Sequence, residues 1–217
     1  MQTLYSPAHL ALQETFGTTR MAGLMDQAIS HETLSEDEQA YIASRDLFFL
    51  STVDPEGMPS VSYKGGAVGF VRVLDASTLA FPGYDGNGMF YSLGNIVGQG
   101  KVGMLFIDFE TPHRLRVQGH ARYTRQHPLL AEFPEAQYLV LVTVARVWPN
   151  CPRYIHTYRR VGTSKYVPGL CVPTPLPAWK RIDIVQDALS ADDQARATAL
   201  GLLDFGQYEA KVKDGDA

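Results

Sequence analysis

Cysteine is nearly absent from this chain: Cys151 and Cys171 are the two among 217 residues, and neither has CxxC spacing or a histidine cluster beside it. That scarcity argues against a disulfide framework and a structural zinc site, and both thiols are expected to be reduced and unbridged. Positive charge is also short, with 19 Lys and Arg against 23 Asp and Glu and a formal net charge of −4. No broad cationic surface is available to neutralise a nucleic-acid backbone, although one small phosphate site is compatible with the count. Long hydrophobic runs are missing too. The longest, residues 136–148, is interrupted by Gln137, Thr143 and Arg146 and falls short of a bilayer span. The opening MQTLYSPAHLALQETFGTTRMAG has no basic start followed by a long apolar core, so no signal peptide is evident and a cytoplasmic location is expected. HExxH, GxSxG, a Walker loop and a GxGxxG turn within a βαβ unit are all lacking, which leaves zincin, hydrolase-elbow and dinucleotide-fold chemistry without support.

What is present is a globular composition, 45% apolar and 19% charged, with 19 glycines. It fits one folded domain with terminal additions. Ser6-Pro7 ahead of residues 8–16, closed by Gly17, predicts a first helix, and residues 19–29 a second. Ser35 with Glu38 forms a capping-box signal for a third. From Leu47 the pattern changes to strands. LFFLSTV and MPSVSYK flank the turn DPEG as a hairpin, and GFVRVL, STLAFPG, KVGMLFIDF, RLRVQGHARY and QYLVLVTVARVW follow. Consecutive strands at short spacing predict an antiparallel barrel or sandwich. Residues 168–179 are proline-dense and read as an extended surface segment, and residues 191–203 as a closing helix after Ser190. The expected organisation is a helical extension over 1–35, the β domain over 36–167, and a proline-rich segment with a helix packed on it over 168–217.

Three segments are able to carry chemistry. In RLRVQGHA the alternation puts Arg114, Arg116 and Gln118 on one face, either a solvated outer face or a polar groove for an anionic ligand. Lys64 ends a strand just before Gly65-Gly66: it is either a solvated strand end or part of a site where the missing side chains let a flat ligand approach the backbone. The glycine-rich FPGYDGNGMFYSLGN leads into a helix starting near Gly88-Met89, whose backbone N–H groups suit a phosphate.

The ordered set STVDPEGMPSVSYKGG, LAFPGYDGNGMFYSLGNI, KVGMLFIDF and RLRVQGHA resembles the pyridoxamine 5′-phosphate oxidase-like FMN-binding split-barrel family over residues 36–150. The resemblance implies a mainly β fold with flanking helices, a six-stranded antiparallel split barrel, and a homodimer with FMN at the subunit interface. Carried over by position, it places Ser62, Tyr63 and Lys64, with Gly65 behind them, along the isoalloxazine ring and ribityl chain. Phe81, Pro82 and Gly83 then line the other edge, Arg114 and Arg116 reach the polar end, and Asn87 with neighbouring backbone amides holds the phosphate. Where the vitamin-forming oxidases carry a Ser-Arg-Lys phosphate clamp, this chain has Asp85-Gly86-Asn87-Gly88, and their C-terminal substrate-binding segment is not recognisable after residue 150. The expected activity is therefore an FMN-dependent oxidoreduction of a small molecule other than pyridoxamine phosphate, with a reduced nicotinamide as one possible donor. The alternatives are a flavin- or haem-binding module without turnover and a deazaflavin-dependent reductase on the same barrel.

Overall fold

The computed structural model describes residues 4–169 and 173–217, so the expectation for Cys171 falls outside the described residues. Two compact units divide between Val161 and Gly162, whereas the sequence reading sets the end of the β domain at residue 167. The first unit opens with helices α1 (Pro7–Thr15), α2 (Thr19–Ile29) and α3 (Glu36–Ala43). Their boundaries follow the cap chemistry. Ser35 Oγ accepts from the Glu38 amide and the Glu38 carboxylate accepts from the Ser35 amide, closing the predicted capping box. Helices α1 and α2 bury no residue.

Seven strands follow: β1 (Leu47–Val53), β2 (Pro59–Gly65), β3 (Arg72–Asp75), β4 (Thr78–Gly83), β5 (Lys101–Asp108), β6 (His113–Thr124) and β7 (Tyr138–Asn150), with helix α4 (Tyr91–Gln99) between β4 and β5. They form one antiparallel sheet in the order β2-β1-β5-β6-β7-β4-β3. The architecture is the expected mainly β one with flanking helices, but it has seven strands rather than six and β2 and β3 remain edges. The short β3, within the GFVRVL segment, pairs with β4 only from Arg72↔Ala80 to Asp75↔Thr78. The β1–β2 hairpin turns on Asp54, whose carboxylate accepts from the amides of Glu56 and Met58.

Alternation along β1 sends Phe48, Leu50 and Thr52 inward and Phe49 and Ser51 outward. The inward set meets Met104, Phe106, Leu115, Val117 and the continuous apolar run of β7 in a single core. The sheet curls strongly enough that Phe48 of β1 meets Phe81 of β4 at 5.1 Å between ring centroids, although three strands separate them in the order. A bulge between Gln118 and Gly119 bends β6 against β7, and a Cβ on Gly119 would fall on the Thr143 carbonyl oxygen, so glycine is required there.

The second unit holds α5 (Ala191–Leu200) and α6 (Phe205–Lys213) after two short 3₁₀ segments. Two expectations change here. Leu176 and Ala178 are buried, so the proline-dense segment is not wholly a surface strand: it supplies apolar anchors. The closing helix also stops at Leu200, because Gly201 takes φ 83° and Asp204 starts a separate helix with its own capping box. No helix among the described residues is long and apolar enough to cross a membrane.

Candidate functional site

The site grows from β2. As an edge strand it pairs only with β1, in the register Phe48↔Lys64, Phe49↔Tyr63 and Leu50↔Ser62. Because neighbours directly opposite share a face, Ser62 and Lys64 lie on the core side with Phe48 and Leu50, while Tyr63 and Gly65 face outward. Lys64 is half-buried, and burial holds its ammonium below the ordinary lysine value. No carboxylate pairs with it among the described residues. A partly desolvated cation without a counter-ion costs free energy that an anionic ligand would recover.

Helix α4 packs against β1 beside this strand. Asn95, 7% exposed, donates to Thr52 Oγ1 at 3.1 Å, and Thr52 in turn lies 3.3 Å from Ser60 Oγ. One turn nearer the helix start, Ser92 Oγ sits 3.3 Å from Ser62 Oγ. These hydroxyls and the amide tie the first turns of α4 to the hairpin on the Lys64 side. The helix itself starts abruptly. Its N-cap is Phe90, in the left-handed region at φ 48°, and no side-chain hydrogen bond caps it among the described residues, so the first-turn N–H groups point out of the helix without a capping side chain. The preceding loop is exposed from Asp85 to Phe90. Asn87 is engaged within that loop, its Oδ1 accepting from the Met89 amide and its Nδ2 lying 3.3 Å from Met89 Sδ.

The arginines stand elsewhere. Register across β1, β5, β6 and β7 aligns Phe49, Leu105, Arg116 and Trp148 in one row, which is the outer face of the sheet. There they line a shallow cavity of about 250 Å³ with Ser51, Val61 and Gln118. The predicted alternation is present, with Leu115 and Val117 1% exposed behind Arg114 and Arg116. Arg114 Nε is buried without a hydrogen-bond partner. Beside it, exposed Cys151 has its thiol lowered, first by the Arg153 backbone hydrogen bond, with the Arg153 side chain and the Arg114 charge adding to it and desolvation opposing.

Phe81, Pro82 and Gly83 on β4 are all buried. Phe81 belongs to the core, and a Cβ on Gly83 would fall on the Tyr138 ring, so that glycine holds a packed aromatic. The first unit thus brings Ser62, Lys64 and the α4 terminus together, and places Tyr63, Gly65, Arg114 and Arg116 on the opposite face. Ser92 and Asn95 are the residues that sequence reasoning missed. Their signal was the helical spacing of two polar residues within an apolar turn, Ser92-Leu93-Gly94-Asn95-Ile96.

Comparison with known proteins gives a match to the family model for pyridoxamine 5′-phosphate oxidase over residues 34–150. No curated protein matches the chain. Among solved structures, HupZ from Group A Streptococcus is 17% identical with a TM-score of 0.45, covering 58% of this chain and 99% of its own. An FMN-binding protein from Syntrophomonas wolfei is 14% identical with a TM-score of 0.40, covering 64% and 97%. The FAD binding protein from Mycobacterium smegmatis is 19% identical with a TM-score of 0.39, covering 55% and 97%.

Proposed function

Because this chain belongs to the pyridoxamine 5′-phosphate oxidase family, we propose that it is an FMN-binding oxidoreductase that works as a homodimer on a small molecule other than pyridoxamine phosphate. The observation that carries the reading is Lys64, a half-buried ammonium without a carboxylate partner among the described residues, beside the uncapped start of α4. Bound FMN supplies the hydride or electron transfer, so the protein need provide no acid, base or nucleophile of its own. Its own residues bind and orient. Amides at the α4 N-terminus and the Ser62–Ser92 hydroxyl pair offer donors to a phosphate, and Lys64 offers the charge. Asn87 is committed to its own loop, which leaves it a secondary role in holding phosphate.

Two features bear on the finer terms. Tyr63, Arg114 and Arg116 face away from Lys64 within one subunit, so a flavin touching both sets needs the second set from a partner copy. The Asp85-Gly86-Asn87-Gly88 stretch lacks the two charged donors of the vitamin-forming oxidases, and their C-terminal substrate-binding segment is not recognisable after residue 150, which together disfavour pyridoxamine phosphate as substrate.

The test is FMN titration of stripped protein, parent against Lys64→Ala, followed by absorbance. Loss of one charge-assisted contact should raise Kd about ten-fold or more. Steady-state oxidation of NADH or NADPH by the loaded protein separates an enzyme from a carrier. Folded protein that takes up no FMN, or that carries a Soret band or a deazaflavin spectrum as purified, would overturn the reading.

A further inference from the structure

The C-terminal unit contains a cavity of about 520 Å³, within the size range of small-molecule sites, built entirely from residues 165–216 and lying outside the matched family region. One wall is apolar, with Leu176, Ala178 and Leu200. The remaining lining is dominated by cations. Lys165, Arg181, Arg196 and Lys211 face one carboxylate, Asp216.

The two arginines are oriented but not neutralised. Arg181 donates from Nε to the Gly201 carbonyl at 2.7 Å and from an Nη to the Leu200 carbonyl at 2.8 Å, which fixes it against the end of α5. Arg196 donates to the Thr174 carbonyl at 2.7 Å. Neither has a carboxylate partner among the described residues. The two lysines share one anion: Asp216 lies 2.9 Å from Lys165 Nζ and 2.7 Å from Lys211 Nζ. Those contacts hold the Asp216 carboxyl down to about 2. Asp216 is nevertheless 62% exposed, and ion pairs that open to water contribute little and exchange readily.

We propose that this cavity binds a small organic anion, a phosphate or carboxylate group on an apolar or aromatic body, and that the Asp216 carboxylate occupies the anion's place until the ligand displaces it. The inference is independent of the flavin reading. The apolar wall takes the body of the ligand, Arg181 and Arg196 take the anion, and Lys165 and Lys211 are released to it when Asp216 leaves. A neutral analogue gains the wall and nothing else.

Phenyl phosphate is the probe, titrated calorimetrically into the full chain with and without excess riboflavin, with benzoate, phenol and inorganic phosphate as comparisons. One site per chain is expected, unaffected by riboflavin, with phenol much weaker and the order of phenyl phosphate and benzoate deciding which anion is preferred. Arg196→Gln should weaken the probe about ten-fold, and Asp216→Asn should tighten it several-fold by freeing both lysines. Circular dichroism checks that Arg196→Gln is folded. If it is not, Lys211→Met takes its place with the same expected sign. The proposal is overturned by no binding to either the parent or Asp216→Asn, by binding that Arg196→Gln leaves unchanged, by an Asp216→Asn that binds more weakly, or by displacement of the probe with riboflavin, which has no phosphate.

Discussion

Lys64 and Arg116 stand on opposite faces of one sheet. Lys64 is opposite Phe48, whose neighbour Phe49 is in the row of Leu105 and Arg116. If one flavin needs both cations, they come from different subunits. Mixing Lys64→Ala and Arg116→Ala chains then creates heterodimers in which one site carries both substitutions and the other carries neither. After random exchange about a quarter of all sites should regain parent affinity for FMN, a recovery that neither variant shows alone. Titration of the mixed sample gives the fraction directly, and no recovery in proven heterodimers would place both residues at one subunit's site or remove one of them from it.

The start of α4 sets a second expectation. FMN at a hundred-fold excess over Kd stabilises a folded state by about 2.7 kcal/mol, which for a domain of this size raises the melting midpoint by roughly 5 to 10 °C. Riboflavin has the same ring system without the phosphate and should raise it less. Equal shifts would remove the phosphate role from the α4 amides and Ser92 while leaving the flavin.

Arg45 and Asp108 give a pH-dependent term unrelated to any ligand. They pair at 2.7 Å, and each side chain is about one-fifth exposed, at 20% and 19%. Burial pulls the Asp108 carboxyl upward, but the Thr111 amide, the Arg45 guanidinium and the Glu110 amide outweigh it and the net direction is down. A depressed folded-state value means stability that is present above the ordinary carboxylate range and lost as pH falls through the lowered one. Arg45→Met should therefore cost about 1 to 3 kcal/mol near neutrality and progressively less below pH of about 4, measured by urea unfolding at each pH.

Gly83 and Gly86 make a paired test of packing. Ala at 83 must displace the Tyr138 ring and should cost about 1 to 3 kcal/mol, whereas Ala at 86 enters open space and should stay within about 0.5 kcal/mol. Chemical denaturation of the two variants reads the difference, and similar values would mean that Tyr138 is free to move.

Much of the fold was legible because its signals are local. Ser35 with Glu38, Pro7 after Ser6 and Asp54 ahead of Gly57 mark boundaries through hydrogen bonds made within a few residues. Alternation also sorted Leu115 and Val117 from Arg114 and Arg116 correctly. What alternation along one strand does not reveal is which faces of different strands coincide. Lys64 and Arg116 both read as polar strand residues, and only the register through Phe49 and Leu105 separates them. The same holds for Phe81, whose place in the core depends on the curl that brings it to Phe48. Asn95 was missed because its partner, Thr52, lies in a strand that comes long before it in the chain.

The strand order carries a kinetic consequence. Helices α1 and α2 precede the sheet in the chain yet hold no buried residue, and the β1–β2 hairpin behind them has an apolar face with no cover of its own. Phe49 waits for Leu105, and Leu79 on β4 waits for Val142 on β7, so the central pairings close only after most of the first unit has been made. Loop closure over such distances is paid before those contacts form, which predicts slow, late folding in which β7 completes the sheet.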